Sequence, residues 1–150
     1  MKPVCLRSLT GFLLVAGLIG CGDGGSADCA EGEVECDGEC IEIEPTLASI
    51  QAEVFDVSCT ASSCHDSVSP QAGLALSSEE VSRDNLVDVS SEQRPELLRV
   101  MPSEPDLSYL MDKLDGVNLA SGTEPMPQLG WPMCEARIEA VREWIERGAL

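Results

Sequence analysis

The sequence predicts a mainly α fold, in which one small helical domain with long Pro- and Gly-rich loops follows a Cys-rich acidic tether. Several segments place apolar residues at the spacing of one helix face, and no alternating pattern of useful length indicates a strand. The chain also has 9 prolines and 13 glycines, which favour long connections. Its 150 residues leave room for one domain, and a hydrophobic content of 43% argues against wholesale disorder.

Residues 1–20 have the pattern of an export signal, with Lys2 and Arg7 ahead of a short apolar run. The run ends in Gly20 and Cys21, a sequence that resembles the lipobox of bacterial lipoproteins. That resemblance implies acylation of Cys21 and a lipid anchor, on the periplasm-facing or outer surface of the bacterial cell envelope. A cleaved secretory signal followed by a chance cysteine is the alternative.

Residues 21–45 are predicted to be a disulfide-stapled tether. Once Cys5 leaves with the signal and Cys21 is acylated, an even number of cysteines remains in an oxidising compartment. The tether has turn glycines and little to bury, so disulfides explain its cysteines better than a metal cluster does. The candidates are Cys29, Cys36, Cys40 and Cys134, and the sequence leaves their three possible pairings open.

Four helical segments are predicted within the domain, residues 46–150. Thr46 opens the first, a capping-box spacing in residues 77–80 opens the second, the third runs from Asp106 to Gly116, and the fourth follows Pro132. The apolar faces comprise Leu47, Ile50, Val54 and Phe55 in the first helix, Leu107, Leu110, Met111 and Leu114 in the third, and Ile138, Val141, Trp144 and Ile145 in the fourth.

The formal net charge of -18 excludes a nucleic-acid binder, because a phosphate backbone is recognised by clustered Lys and Arg. From residue 21 to residue 81 there is no Lys or Arg at all. We expect this acidic half to attract a basic redox partner by electrostatic steering, although solubility alone also explains the charge.

The segment most informative about chemistry is residues 59–65, in which two cysteines precede the protein's single histidine. Cys59 and Cys64 can each form a thioether to a haem vinyl group, and His65, adjacent to the second cysteine, is then placed as an axial iron ligand. The usual spacer between the cysteines has two residues, whereas this one has four, which resembles variants of c-type haem sites. The motif therefore predicts one covalent haem c.

Three other interpretations of these residues remain open. Cys59 and Cys64 can form a disulfide beside an uninvolved His65. A zinc site would need Cys134 as a fourth ligand. A cysteine nucleophile with His65 as its base is the third, but residues adjacent in sequence rarely face each other and no orienting acid is evident.

Residues 47–150 resemble a class I c-type cytochrome domain. The first helix with Phe55, the haem motif and the last helix, residues 137–149, carry the resemblance. It implies a cytochrome c-like fold and a distal methionine ligand in a proline-bounded loop, which matches Met126 between Pro125 and Pro127. The prolines independently favour a stiff loop that holds a thioether against iron. The rival ligands are Met101 and Met133, and Met111 fits a helix core better.

Together these features predict a membrane-anchored monohaem electron carrier, which is not itself an enzyme. The alternative from another class is a haem-free, disulfide-stapled lipoprotein that acts as a structural or protein-binding module. A small peroxidase would need an open distal position on the iron and lacks a second histidine.

Overall fold

A computed structural model describes residues 28–150 of the chain. The predicted signal peptide and the predicted lipidation site Cys21 lie outside these residues. The regular elements are, in chain order, β1 (Val34–Cys36), β2 (Glu39–Ile41), α1 (Leu47–Ile50), α2 (Asp56–Ser58), α3 (Glu79–Leu86), α4 (Tyr109–Asp115) and α5 (Glu135–Glu146). A π-helical stretch, Gln51–Phe55, joins α1 to α2, and single 3-10 turns form at Gln71–Gly73 and Pro105–Leu107.

The predicted mainly α, cytochrome c-like fold with a separate tether is wrong. Helices account for 37% of the described residues, and they coexist with a two-stranded sheet and three isolated bridges between residues 87 and 108. The long connection between α3 and α4, residues 87–108, contains no α-helix. The three isolated bridges pair extended parts of this connection with one another. What the structure supports is a small protein of short helices and loops with one hairpin, in which no cytochrome fold is shown.

The supposed tether is a β-hairpin held against the last helix. β1 and β2 pair antiparallel around Asp37 and Gly38, which both have positive φ, as a two-residue hairpin turn requires. One disulfide, Cys29–Cys40, closes the hairpin on itself, and a second, Cys36–Cys134, joins it to the residue that precedes α5. The acidic segment is therefore part of the folded structure.

The first helical segment supplies the centre of the core. The Thr46 hydroxyl accepts a hydrogen bond from the Ser49 amide at 3.2 Å and so caps α1. The four residues predicted to share its apolar face are all at most 1% exposed: Leu47, Ile50, Val54 and Phe55. They pack in one cluster with residues of the later elements, among them Leu86, Val141, Trp144 and Ile145.

α4 differs from its prediction at the N-terminal end. It begins at Tyr109 rather than Asp106 because the preceding residues form a 3-10 turn and Ser108 is extended. Leu107, expected on the apolar face, is therefore 48% exposed. Gly116 ends the helix in the left-handed conformation, and a Cβ there would lie 2.7 Å from the Trp131 ring. This close approach packs the segment that follows Met126 against the end of α4.

Candidate functional site

Cys59, Cys64 and His65 lie in a tight turn directly after α2. The His65 amide donates to the Cys59 carbonyl at 3.0 Å, and the Cys64 amide donates to the Ala61 carbonyl at 2.9 Å. Ser63 has a φ of 72°, which lets the four-residue spacer turn back on itself. The longer spacer is thus absorbed within the turn, and the backbone of His65 stays next to that of Cys59.

Both thiols of the motif are unpaired and only partly exposed. The disulfide between Cys59 and Cys64 that the sequence left open is therefore not formed. Burial, with smaller contributions from Cys64 and Asp56, raises the pKa of the Cys59 thiol to about 12. Because a thiolate is the reactive form of cysteine, a thiol with so high a pKa is a poor nucleophile. This weakens the cysteine-nucleophile interpretation.

Cys59 is therefore expected to be alkylated about 1000-fold more slowly in the folded protein than in the unfolded chain at pH 8. A rise in pKa from 9.0 to about 12 lowers the thiolate fraction by that factor. The measurement is the rate of iodoacetamide modification of the Cys64→Ser variant, which leaves Cys59 as the unpaired thiol of the motif. The same variant in denaturant is the control, and equal rates in the two states would contradict the burial of Cys59.

The His65 imidazole is held in one orientation by the chain that follows it. Its Nδ1 lies 2.9 Å from the Leu74 carbonyl oxygen. Since a carbonyl only accepts, Nδ1 carries the proton and donates, which leaves the lone pair on Nε2. The Leu76 amide also donates to the His65 carbonyl at 2.8 Å. This is the arrangement of a metal-ligating histidine whose second nitrogen is fixed by a backbone acceptor.

The surroundings of His65 disfavour its charged form. Burial lowers the pKa of His65, and the positive charges of Arg99 and Lys113 lower it further, against the opposing effect of the hydrogen bond to Leu74. A neutral imidazole is the form that binds iron. Neither Arg99 nor Lys113 was singled out from the sequence.

Two buried polar side chains hold the loop of residues 65–76 in place. Gln51 donates to the Leu76 carbonyl at 2.8 Å and accepts from the Ser82 hydroxyl at 2.7 Å. Arg99, 8% exposed, donates to the carbonyls of Ala72 and Asn85, each at 2.8 Å. The loop that supplies the Leu74 carbonyl is therefore fixed to both α3 and the π-helical stretch. Gln51 has a sequence signal, since it is a polar residue four positions after Leu47 on an otherwise apolar helix face.

The three candidate methionines have different environments. Met126 is half-buried, precedes a cis peptide bond to Pro127, and its amide donates to the Lys113 carbonyl at 2.8 Å. Met101 is 37% exposed, whereas Met133 is 6% exposed and belongs to the hydrophobic core. The backbone of Met126 is thus bound to α4 through Lys113.

The donor set fits a covalent haem and does not fit zinc. Haem attachment needs two free thiols and a neutral histidine with Nε2 available, and residues 59–65 provide them. Zinc would need Cys134, whose sulfur is bonded to Cys36. Within residues 28–150 no cluster of three or more His, Cys, Asp or Glu side chains is suited to holding a metal ion.

Two surface clefts lie apart from the cysteine motif. One of about 250 Å³ is lined by Glu124, Pro125, Gln128 and Trp131, next to Met126 in sequence. The other, of about 460 Å³, is lined by Ser78, Glu79, Glu80 and Arg83 at the start of α3. Neither cleft is lined by the thiols or by His65.

In the part of the chain that the structure describes, no helix has the length and apolar character needed to cross a membrane. Comparison with known proteins gave no match to any family model, to any curated protein or to any solved structure.

Proposed function

We propose that this protein is a membrane-anchored monohaem c-type cytochrome that carries electrons in the bacterial cell envelope. One observation carries the proposal: two unpaired thiols lie in a turn that ends at His65, and the ring of that histidine is oriented by Leu74 with Nε2 available. The haem would then be bound by a fold of short helices, loops and one hairpin instead of the expected cytochrome c-like fold. A haem iron held by these residues would supply a one-electron redox couple.

Attachment requires no oxidant. The S–H of Cys59 and the S–H of Cys64 each add across one vinyl group, so that a C–S bond and a C–H bond form as the vinyl π bond breaks. Both thiols are protonated in the reactants, and each proton ends on a vinyl carbon.

His65 and Met126 have separate roles in this proposal. His65 presents a neutral nitrogen on a ring that cannot turn without losing its bond to Leu74. Met126 would offer a thioether from a loop later in the chain, and a His/Met ligand pair favours a high reduction potential. The protein sets the potential through these ligands and through burial, and it need not carry catalytic groups.

The hairpin provides the charge for a basic redox partner. The acidic residues of the hairpin and of the segments on either side of it are all exposed: Asp28, Glu31, Glu33, Glu35, Asp37, Glu39, Glu42 and Glu44. Among them only Asp37 makes an ion pair in the described structure, and its partner is Arg137. Unpaired acids on one element attract a cationic surface over a distance set by the ionic strength. The anchor at Cys21, proposed from the lipobox resemblance, would keep this surface near the membrane.

The competing proposal, a haem-free lipoprotein that acts as a structural or protein-binding module, gains support from the two disulfides. In that protein Cys59 and Cys64 would form a third disulfide, but their thiols are unpaired in the described structure.

The test is covalent haem retention in variants produced by a host with haem-attachment machinery. The Cys59→Ser/Cys64→Ser variant is expected to lose all haem that survives acid-acetone extraction, and each single variant to retain one thioether. The Cys29→Ser/Cys40→Ser variant is the matched control, because it removes two cysteines of the hairpin and none of the motif. Haem loss in that control equal to the loss in the double motif variant would contradict the assignment.

A further inference from the structure

Lys113 is the only lysine that follows Lys2 in the sequence, and it is 7% exposed. None of the ion pairs within residues 28–150 includes it. A buried ammonium group without a carboxylate partner costs stability, so its position calls for a compensating role. Its Nζ lies over the Tyr109 ring, 5.9 Å from the ring centroid.

Lys113 makes two hydrogen bonds to the segment that ends in Met126. Its Nζ donates to the Glu124 carbonyl, and its own carbonyl accepts from the Met126 amide at 2.8 Å. These two bonds hold the chain on both sides of Pro125. One turn earlier in α4, the Tyr109 hydroxyl accepts from the Ala120 amide at 3.2 Å, so the preceding part of the loop is fixed to the same helix.

We propose that Lys113 is a positioning residue for Met126, which clamps residues 124–126 to α4 so that the thioether is presented in a fixed place before any ligand is bound. Only the consequence of this clamp rests on the proposed function, because that consequence is the availability of Met126 as the distal haem ligand. The clamp itself is a property of the chain without haem. A prepositioned ligand saves the entropy of ordering a loop when the bond to iron forms.

The first test uses the haem-free protein. In Lys113→Met the ammonium is lost, but the backbone carbonyl that accepts from Met126 remains. We expect the Met126 amide to exchange with deuterium at least about tenfold faster, because the lost hydrogen bond has a charged donor and is stronger than a bond between neutral groups. Lys113→Arg keeps a cationic donor and should restore slow exchange.

The matched control is Arg83→Met, which removes another cation that donates to a backbone carbonyl, that of Ala149, at 3.2 Å. It should leave the exchange of the Met126 amide unchanged. Unchanged exchange in Lys113→Met, or equal acceleration in the control, would overturn the inference. If Lys113→Met does not fold, the amine protons of Lys113 decide the matter in the unmodified chain: they should be protected in an NMR spectrum of ¹⁵N-lysine protein, and fast exchange would overturn the clamp.

The second test uses the haem-loaded protein and added imidazole, which competes with Met126 for the iron. Lys113→Met should bind imidazole about tenfold more tightly while retaining the full haem mass, and Arg83→Met should bind it as the unmodified protein does. Unaltered imidazole affinity with full haem mass would overturn the positioning role. If the unmodified chain acquires no haem, the proposed function fails, but the exchange experiment still decides whether Lys113 holds Met126.

Discussion

Met126→Ala is expected to lower the reduction potential of the haem-loaded protein by more than about 0.1 V. Axial ligands set haem potentials over a range of about 0.8 V, and a thioether favours the reduced iron. Covalent attachment through Cys59 and Cys64 should be unaffected, so the haem mass is retained while the potential falls. The measurement is a redox titration followed by the absorption spectrum.

Met101→Ala is the matched control for this variant, because Met101 is 37% exposed and its amide donates to the Ser108 hydroxyl at 2.8 Å. Its removal should leave the potential unchanged. Met133 is a poor control, because its burial in the core means that an Ala substitution costs about 2–5 kcal/mol of stability. A fall in potential for Met101→Ala and none for Met126→Ala would assign the distal ligand to Met101 instead.

Removal of the disulfide between the hairpin and α5 should cause a larger loss of stability than removal of the disulfide within the hairpin. The Cys36→Ala/Cys134→Ala variant is expected to lower the free energy of unfolding by about 4–5 kcal/mol. The two cysteines are separated by 98 residues, and a cross-link over so long a loop removes much entropy from the unfolded chain. Cys36 is also 2% exposed, so its replacement disturbs the core.

The Cys29→Ala/Cys40→Ala variant provides the comparison, because its cross-link spans only 11 residues. We expect a loss of about 3 kcal/mol for this pair, by the same loop-entropy argument. Urea unfolding of both variants beside the unmodified protein gives the two values. A smaller loss for the Cys36–Cys134 pair than for the Cys29–Cys40 pair would show that the hairpin does not stabilise the rest of the fold.

The hairpin was not predicted from the sequence. Its strands have three residues each and carry exposed glutamates, so they lack the alternating apolar pattern by which strands are recognised. The dipeptide Asp37-Gly38 was the available signal, since both residues of such a turn need positive φ. The pairing of Cys36 with Cys134 depends on contacts between distant segments, which a sequence does not display.

Local features were easier to predict than long-range ones. The apolar face of the first helical segment, a serine cap before α3 and the end of α4 at Gly116 all follow from nearby residues, and the structure has them. The capping hydroxyl is that of Ser78, one residue after the Ser77 that the capping-box spacing indicates. The order of Cys59, Cys64 and His65 likewise defined a candidate site. Its supporting groups, Gln51 and Arg99, could not be predicted to act there, because that depends on which loop folds over which helix.

The measurement that tests the central claim most directly is a reduced-minus-oxidised absorption spectrum with the intact mass of the unmodified chain, exported from a host with haem-attachment machinery. The proposal predicts a sharp α-band and one haem mass that survives acid-acetone extraction. A colourless protein, in which Cys59 and Cys64 take up alkylating reagent after unfolding and reduction, would contradict it and leave the haem-free lipoprotein.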